Sequence, residues 1–317
     1  MKALLTGISG NLGYEISLDL AKRGVSLIPC VRPGKTGTLL TCPIKFQQVI
    51  ESDLIAEDIE FYDAVDCIIH CAGVVHFREA GNKNEEMMLH VIALAHKLNT
   101  PIHFVSTAFV YRADGTDTFN NQYEQDKFKA EQLLIKSGVP HSIFRPSILT
   151  GHSRTGEIRN FSGFYLMARA FITAVQAARA GNRILRFPRM FGESNMVPVD
   201  QAAICIGNAI FDNQSGISYV TNPKPPHAQW VLEETLDFFN VRDSMKILDV
   251  SFREFGDLEL TNEEATLYRF SEHFSPYWSM EYAFPPGVCI KNLINHDYMV
   301  RALTFFGVNR DCDRPRP

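Results

Sequence analysis

The amino-acid sequence predicts an α/β protein: a doubly wound parallel sheet with helices on both faces, joined to a smaller, mostly C-terminal lobe. Three observations carry this. Short apolar stretches alternate with amphipathic ones through the first half of the chain, the pattern of repeated βαβ units. A glycine-rich string, Thr6-Gly7-Ile8-Ser9-Gly10-Asn11-Leu12-Gly13, falls between the first apolar stretch and the first amphipathic one. After Pro146 the texture changes, and aromatic residues gather late in the chain.

Strands are expected at Lys2–Thr6 and at residues 25–31, 45–50, 66–72, 102–106 and 141–145, with a last one at 217–221. The first is short and apolar, as a strand buried on both faces requires. Helices are expected at 11–23, 84–98, 121–137, 164–180 and 201–211. In the first, Ile16, Leu20 and Arg23 recur at helical spacing and Gly24 offers a stop. In the second, Met88, Val91, Leu94, Ala95 and Leu98 form one stripe. Asp200 is placed to cap the helix at 201–211. The chain is expected to return to its first domain late, giving one domain of 1–150 plus 192–222 and a lobe of 151–191 plus 223–317. Seven aromatics from Tyr268 to Phe284, among them Phe270, Tyr277 and Tyr282, either form the lobe's core or line an apolar pocket. The tail at 310–317 is expected to be mobile.

Bulk properties narrow the classes. The chain has 317 residues, 45% hydrophobic and 21% charged, which fits a globular protein with a substantial core. A net charge of −5 gives no reason to expect a nucleic-acid or anionic-membrane partner. The seven cysteines are scattered without a CxxC pair, so no metal site is expected, and Cys67 and Cys71 read as reduced thiols on an apolar strand. No apolar run reaches membrane-spanning length, and the first strand leaves no room for a leader, so a cytoplasmic location is expected.

The glycine string carries chemistry. Glycines at 7, 10 and 13 permit a sharp turn, close approach of a pyrophosphate and tight packing of the helix, whose N-terminus then faces the phosphates. With Ser9, Asn11 and Leu12 they make an expected dinucleotide site. The second strand ends in Arg32, with Lys35 beyond. A guanidinium there grips a 2′-phosphate and favours NADP over NAD; otherwise both side chains decorate an exposed loop. Tyr123 and Lys127 are one helical turn apart and share a face. An ammonium one turn from a phenol, together with an oxidised nicotinamide ring, favours the phenolate and brings its pKa from about 10 closer to working pH. Ser106-Thr107-Ala108 ends an apolar strand at the sheet edge where such folds bind ligands. His70 and His103 read as packed core histidines, and His76 follows the loop after the strand at 66–72.

TGxxGxxG from Thr6, S-[ST]-A-x-x-V from Ser106 and YxxxK at 123–127 together resemble the extended short-chain dehydrogenase/reductases, over the first 150 residues and about 195–222. The resemblance implies a Rossmann fold that binds NAD(P). It implies that Thr107 holds the substrate oxygen, that Tyr123 supplies or removes its proton, and that Lys127 lowers the tyrosine pKa while binding the nicotinamide ribose. Asp53, with Leu54, resembles the aspartate that accepts from the adenine amino group, or else caps a helix. Cys71, Ala72 and Gly73 resemble the strand and loop beneath adenine and ribose, and Pro146 and Ile148 lie in another cofactor-facing stretch. Asn84 matches the family's helix asparagine or is a plain N-cap. Residues 144–156, 195–200 and 123–134 are similar to the thioester-reductase and fatty acyl-CoA reductase branch.

That branch implies an NADPH-dependent reductase acting on a carbonyl, with an acyl thioester on CoA or a carrier protein as substrate and an aldehyde as product. Arg183, Arg186 and Arg189 then meet phosphates of CoA or pantetheine, or simply form a solvated edge. A nucleotide-sugar epimerase or dehydratase, or a hydroxysteroid-type dehydrogenase, shares the fold and the Thr/Tyr/Lys set. A non-catalytic NADP-sensing protein is the alternative of another class, against which the intact Tyr123 and Lys127 count. Family likeness also admits a homodimer. Sixteen residues separate Thr107 from Tyr123, which implies a trimmed loop.

Overall fold

Apolar β-branched and leucine-rich runs build the sheet, and the amphipathic segments between them form its covering helices. In chain order these are β1 (Lys2–Thr6), α1 (Asn11–Lys22), β2 (Ser26–Val31), β3 (Ile50–Glu51), β4 (Cys67–His70), α2 (Lys83–Leu98), β5 (Ile102–Val105), α3 (Gln122–Lys136), β6 (His141–Pro146), β7 (Ile148–Thr150) and α4 (Phe164–Ala180). There follow β8 (Leu185–Pro188), β9 (Met196–Pro198), α5 (Val199–Phe211), β10 (Gly216–Val220), α6 (Ala228–Phe238), β11 (Met245–Leu248), α7 (Phe252–Gly256), α8 (Asn262–Ser271), α9 (Ser275–Trp278) and α10 (His296–Asn309). The structure, a computed structural model, describes residues 1–56, 58–75, 81–280, 283–287, 290–291 and 293–309. His76, Tyr282, Cys289, Cys312 and the tail at 310–317 lie outside the described residues.

The chain divides into two units. The first comprises residues 1–149, 199–221 and 284–291; the second comprises 150–198, 222–283 and 292–317. Residues 192–198, expected in the first domain, therefore lie with the second unit, and 284–291, expected in the lobe, return to the first.

The first unit holds a seven-stranded sheet in the order β10-β6-β5-β4-β1-β2-β3, every pairing parallel. From β1 the chain runs outward through β2 and β3, then crosses back to lay β4 on the other side of β1. The order reverses there, which makes the C-terminal ends of β1 and β4 the topological switch point of the sheet. The core on one face gathers Leu4, Ile28, Ile68 and Phe104 against Met88, Val91 and Leu94 of α2 and Ala130 and Leu134 of α3.

Three local expectations change. The strand expected at 45–50 shrinks to Ile50–Glu51, which pairs only with Cys30 and Val31. It is an edge strand, and Pro29 in its single neighbour has no N–H to extend the ladder. The strand expected at 66–72 ends at His70, because the Ala72 N–H donates to the Thr6 hydroxyl at 3.1 Å instead of to a carbonyl. Asp200 does not cap a helix: α5 begins at Val199, so Asp200 sits inside its first turn, where its charge suits the helix dipole.

In the second unit β8 and β11 pair in parallel, Leu185 opposite Met245. Its core is aromatic: Phe171 and Phe187 meet edge-on at 4.7 Å between ring centroids, and Trp278 lies 5.9 Å from Phe187. Tyr268 stacks on Phe252 at 4.5 Å, Phe274 packs against the core, and Tyr277 is buried. These late aromatics are thus the lobe's own core, while Phe270 is exposed and Phe284 belongs to the first unit. The basic stretch after α4 is already neutralised: Arg183 pairs with Glu263, Arg186 with Glu264 and Arg189 with Asp249. No helix among the described residues is long and apolar enough to cross a membrane, and none of their side chains form a group of His, Cys, Asp or Glu suited to a metal.

Candidate active site

The turn after β1 works only with glycine. Gly7 has φ +75°, and a Cβ there would stand 2.4 Å from the Ala72 nitrogen; on Gly13 it would stand 2.3 Å from the Gly7 oxygen. The Gly10 N–H donates to the Gly7 carbonyl at 3.0 Å and closes the turn. Gly10 is also the N-cap of α1, with no side-chain cap and no acid in the first turn. The helix therefore presents its first N–H groups and positive end to whatever lies beyond. Leu12 is buried beneath, Ser9 is exposed, and Asn11 opens the helix. Gly7 and Gly13 thus let backbone pack where a Cβ would collide, and the uncapped positive end of α1 suits a diphosphate.

Around it the other expected residues take mixed positions. Arg32 and Lys35 are exposed on the turn after β2, where the Lys35 N–H donates to the Arg32 carbonyl at 3.0 Å. The Glu51 carboxylate accepts from Gly34 N–H at 2.8 Å and pins that turn. Asp53 caps no helix: its carboxylate accepts from the Ile55 N–H at 3.1 Å within a turn, beside buried Leu54. Cys71, Ala72 and Gly73 follow β4, Pro146 ends β6 and Ile148 begins β7.

Thr107, Tyr123 and Lys127 come together. α3 starts where the Asn121 side chain accepts from the Glu124 N–H at 3.0 Å, which sets Tyr123 and Lys127 on one face. The Tyr123 and Thr107 hydroxyls share a hydrogen bond, and Thr107 is buried. The Lys127 ammonium, 3% exposed, donates to the Val105 carbonyl at 3.2 Å and lies 4.9 Å from the centre of the Phe104 ring. A Cβ on Gly73 would meet it at 2.8 Å, so only glycine leaves that space free.

In the protein alone, burial is the largest influence on both groups of this pair. Burial pushes the Tyr123 phenol up to about 12, and Glu124 and Asp126 push the same way; only the Thr107 hydrogen bond opposes them. Burial brings the lysine itself down to about 8, against Asp126, Cys71 and Glu131, which hold its charge. In the protein alone Tyr123 is a neutral phenol at pH 7, a proton donor rather than a base.

Sequence reasoning passed over the acids of α3. Glu124 is fully buried, pairs with Arg112 and accepts from the Asn120 N–H at 2.9 Å. Arg112 also donates to the carbonyls of Phe109, Tyr111 and Thr118, so one guanidinium ties the short connection between Thr107 and Tyr123 together. Glu131, also fully buried, receives both Nε and Nη2 of Arg145, whose Nη1 donates to the Tyr219 hydroxyl at 2.6 Å. A signal existed: Glu124, Lys127 and Glu131 fall at i, i+3 and i+7, on the stripe that Ala130 and Leu134 bury. Asn84 is not an N-cap; Asn82 holds that position and Asn84 is buried inside α2. His70 and His103 are core groups as expected, hydrogen-bonded to Thr6 and Ser142 at 2.8 and 2.6 Å and lowered by burial to about 3 and about 4.

Residues 53–206 match the family described as male sterility protein. That stretch contains Thr107, Tyr123 and Lys127. The match spans a little under half of the chain, and the chain is similar to the extended short-chain dehydrogenase/reductases, an NAD(P)-dependent class of enzyme. Its fold is similar to that of the terminal R domain from the myxalamid PKS-NRPS biosynthetic pathway, with TM-score 0.74 and 19% identity over 99% of this chain and 92% of that one. It is also similar to a thiolation-reductase di-domain from an archaeal non-ribosomal peptide synthetase, at 0.70 and 15% over 98% and 76%. WbmH of Bordetella bronchiseptica, solved with NAD+, shares the fold at 0.60 and 16% over 96% and 98%. No curated protein matches the chain.

Proposed function

We propose that this chain is an NADPH-dependent reductase of acyl thioesters, carried on CoA or a carrier protein, with an aldehyde as first product. The observation that carries the reading is the hydrogen-bonded Thr107 and Tyr123 hydroxyls, with Lys127 on the same helix face and the glycine cradle in the same unit. When bound, the reduced nicotinamide supplies the hydride. Gly7, Gly10 and Gly13 with the N-terminus of α1 would hold its diphosphate, and Lys127 beside Gly73 its ribose. Arg32 and Lys35, exposed past β2, favour a 2′-phosphate over the bare ribose of NAD.

Thr107 and Tyr123 hold the carbonyl oxygen and stabilise the charge that develops on it as the hydride reaches carbon. A phenol raised to about 12 stays protonated at neutral pH, which suits a proton donor in reduction. The carbon–sulfur bond then breaks, the carbonyl re-forms as aldehyde, and the thiolate takes a proton. In balance, thioester, NADPH and one proton give aldehyde, thiol and NADP+. The male sterility match and the likeness to two reductase domains of carrier-linked synthetases support the thioester; the first unit is proposed as the cofactor domain and the second as the substrate lobe.

The test is a panel of acyl-CoA and carrier-bound thioesters, aldehydes, ketones and nucleotide sugars, followed by loss of NADPH absorbance and by thiol release. One thiol per NADPH consumed is expected. Tyr123→Phe is expected to lower turnover about 10²–10⁴-fold with NADPH affinity nearly unchanged. Preference for NADH with epimerisation of a nucleotide sugar would overturn the reading, and NADPH binding without turnover of any substrate would favour a sensor.

A further inference from the structure

We propose that Asp126 is a positioning residue: through Asn84 it fastens the helix that carries Tyr123 and Lys127 to the loop after β4, and so fixes the ammonium against a bound dinucleotide. This rests on the reading of Tyr123 and Lys127 given above. Asp126 is 1% exposed and stands between those two residues on α3. Its Oδ2 accepts from the Asn84 N–H at 2.9 Å and from the Asn84 Nδ2 at 2.7 Å, and its Oδ1 accepts from the Glu85 N–H at 3.0 Å.

α2 has no side-chain cap of its own, since Asn82 at its N-cap position accepts no capping bond. A carboxylate from another helix therefore satisfies two first-turn N–H groups and sets negative charge at the positive end. The Asn84 amide does the rest. Its Nδ2 donates to the Val74 carbonyl at 3.1 Å as well as to Asp126, and its Oδ1 accepts from the Val74 N–H at 3.0 Å. Reversing the amide would turn its oxygen toward the carboxylate and its NH2 toward an N–H, so Asp126 dictates which way Asn84 points. Val74 follows Gly73, where an added Cβ would meet the Lys127 Nζ at 2.8 Å and the Asn84 Oδ1 at 3.0 Å. Catalytic helix, carboxylate, amide and cofactor loop thus form one continuous chain of contacts, with Gly73 between its two ends.

The experiment is a fluorescence titration of the full chain with NADPH, comparing wild type, Asp126→Asn, Asn84→Ala and the double variant. Asp126→Asn keeps the shape but turns an NH2 toward N–H donors. Each single change is expected to raise the NADPH Kd about tenfold, and the double variant no more than the worse single one, because both break the same chain. Wild-type Kd in either variant, or multiplying effects in the double, would overturn the proposal. A role in folding alone would lower Tm and leave Kd unmoved below the melting range. Should Asp126→Asn fail to fold, Asn84→Ser removes the amide while the carboxylate keeps both backbone N–H bonds. The same tenfold loss supports the proposal, and an unchanged Kd refutes it. Retained turnover in Tyr123→Phe would defeat the acid/base reading while leaving this binding cycle readable.

Discussion

The acids of α3 and the arginines around β8 are both clusters of opposite charges, but they live in different solvents. Glu131 and Arg145 are 0% and 10% exposed in their side chains, whereas Arg189 and Asp249 are 49% and 80% exposed. In water a pair is screened and each ion keeps its hydration, so the pair contributes little. Out of water each charge depends on its partner for the hydration it has lost. The comparison teaches that the count of ion pairs says nothing about which ones hold the molecule. Two buried pairs, Glu124 with Arg112 and Glu131 with Arg145, hold the helix that carries Tyr123 and Lys127.

The sharpest way to break this contrast is Arg145→Met, which leaves Glu131 charged and buried without its fork. A loss of about 3–5 kcal/mol is expected by urea denaturation; a loss below 1 kcal/mol would place the pair with the surface ones. Next comes pH. His70 and His103 have folded pKa values below the unfolded value of about 6.5, so the unfolded chain binds protons first. Their stability is whole above about pH 6.5 and is lost as pH falls toward 4, about 2 kcal/mol for each at pH 5. His296 in the second unit has the opposite sign: Glu234 raises its pKa, so its small contribution is present in acid and is lost as pH rises through the folded value. Denaturation at pH 5 and pH 7 of His70→Asn and His296→Asn variants should separate the two directions.

Between these extremes lies Arg186, 35% exposed in its side chain, whose guanidinium donates to both oxygens of the nearly fully buried Glu264. Arg186→Ala should cost about 1–2 kcal/mol, because Glu264 retains the Thr261 and Arg186 backbone N–H groups. Arg189→Ala should change stability by no more than about 0.5 kcal/mol. A larger effect there would show that exposure is the wrong variable.

Much of the fold is legible in the residues. The seven parallel strands lie close to their expected places, apart from the edge strand that Pro29 cuts short, because apolar runs and glycine turns act locally. The shared face of Tyr123 and Lys127 is legible too, since a helix puts residues four apart on one face whatever surrounds it. The arginines of the 183–189 stretch are not: their partners lie about 60–80 residues away, at 249, 263 and 264, and nothing local announces them. The Tyr123 phenol is a second case. In the protein alone burial raises its pKa, which no spacing announces because desolvation depends on the whole packed environment.

What the sequence by itself determined is the order of strands and helices, the glycine turn, and the helix face shared by a tyrosine and a lysine, all set by short-range sterics and periodicity. Only the tertiary structure decided that Asp126 meets Asn84 from 42 residues away, that three acids of one helix are buried with partners, and that the basic stretch is neutralised. Charge and hydrogen-bond partners are chosen by three-dimensional proximity and by the exclusion of water, which no local pattern encodes.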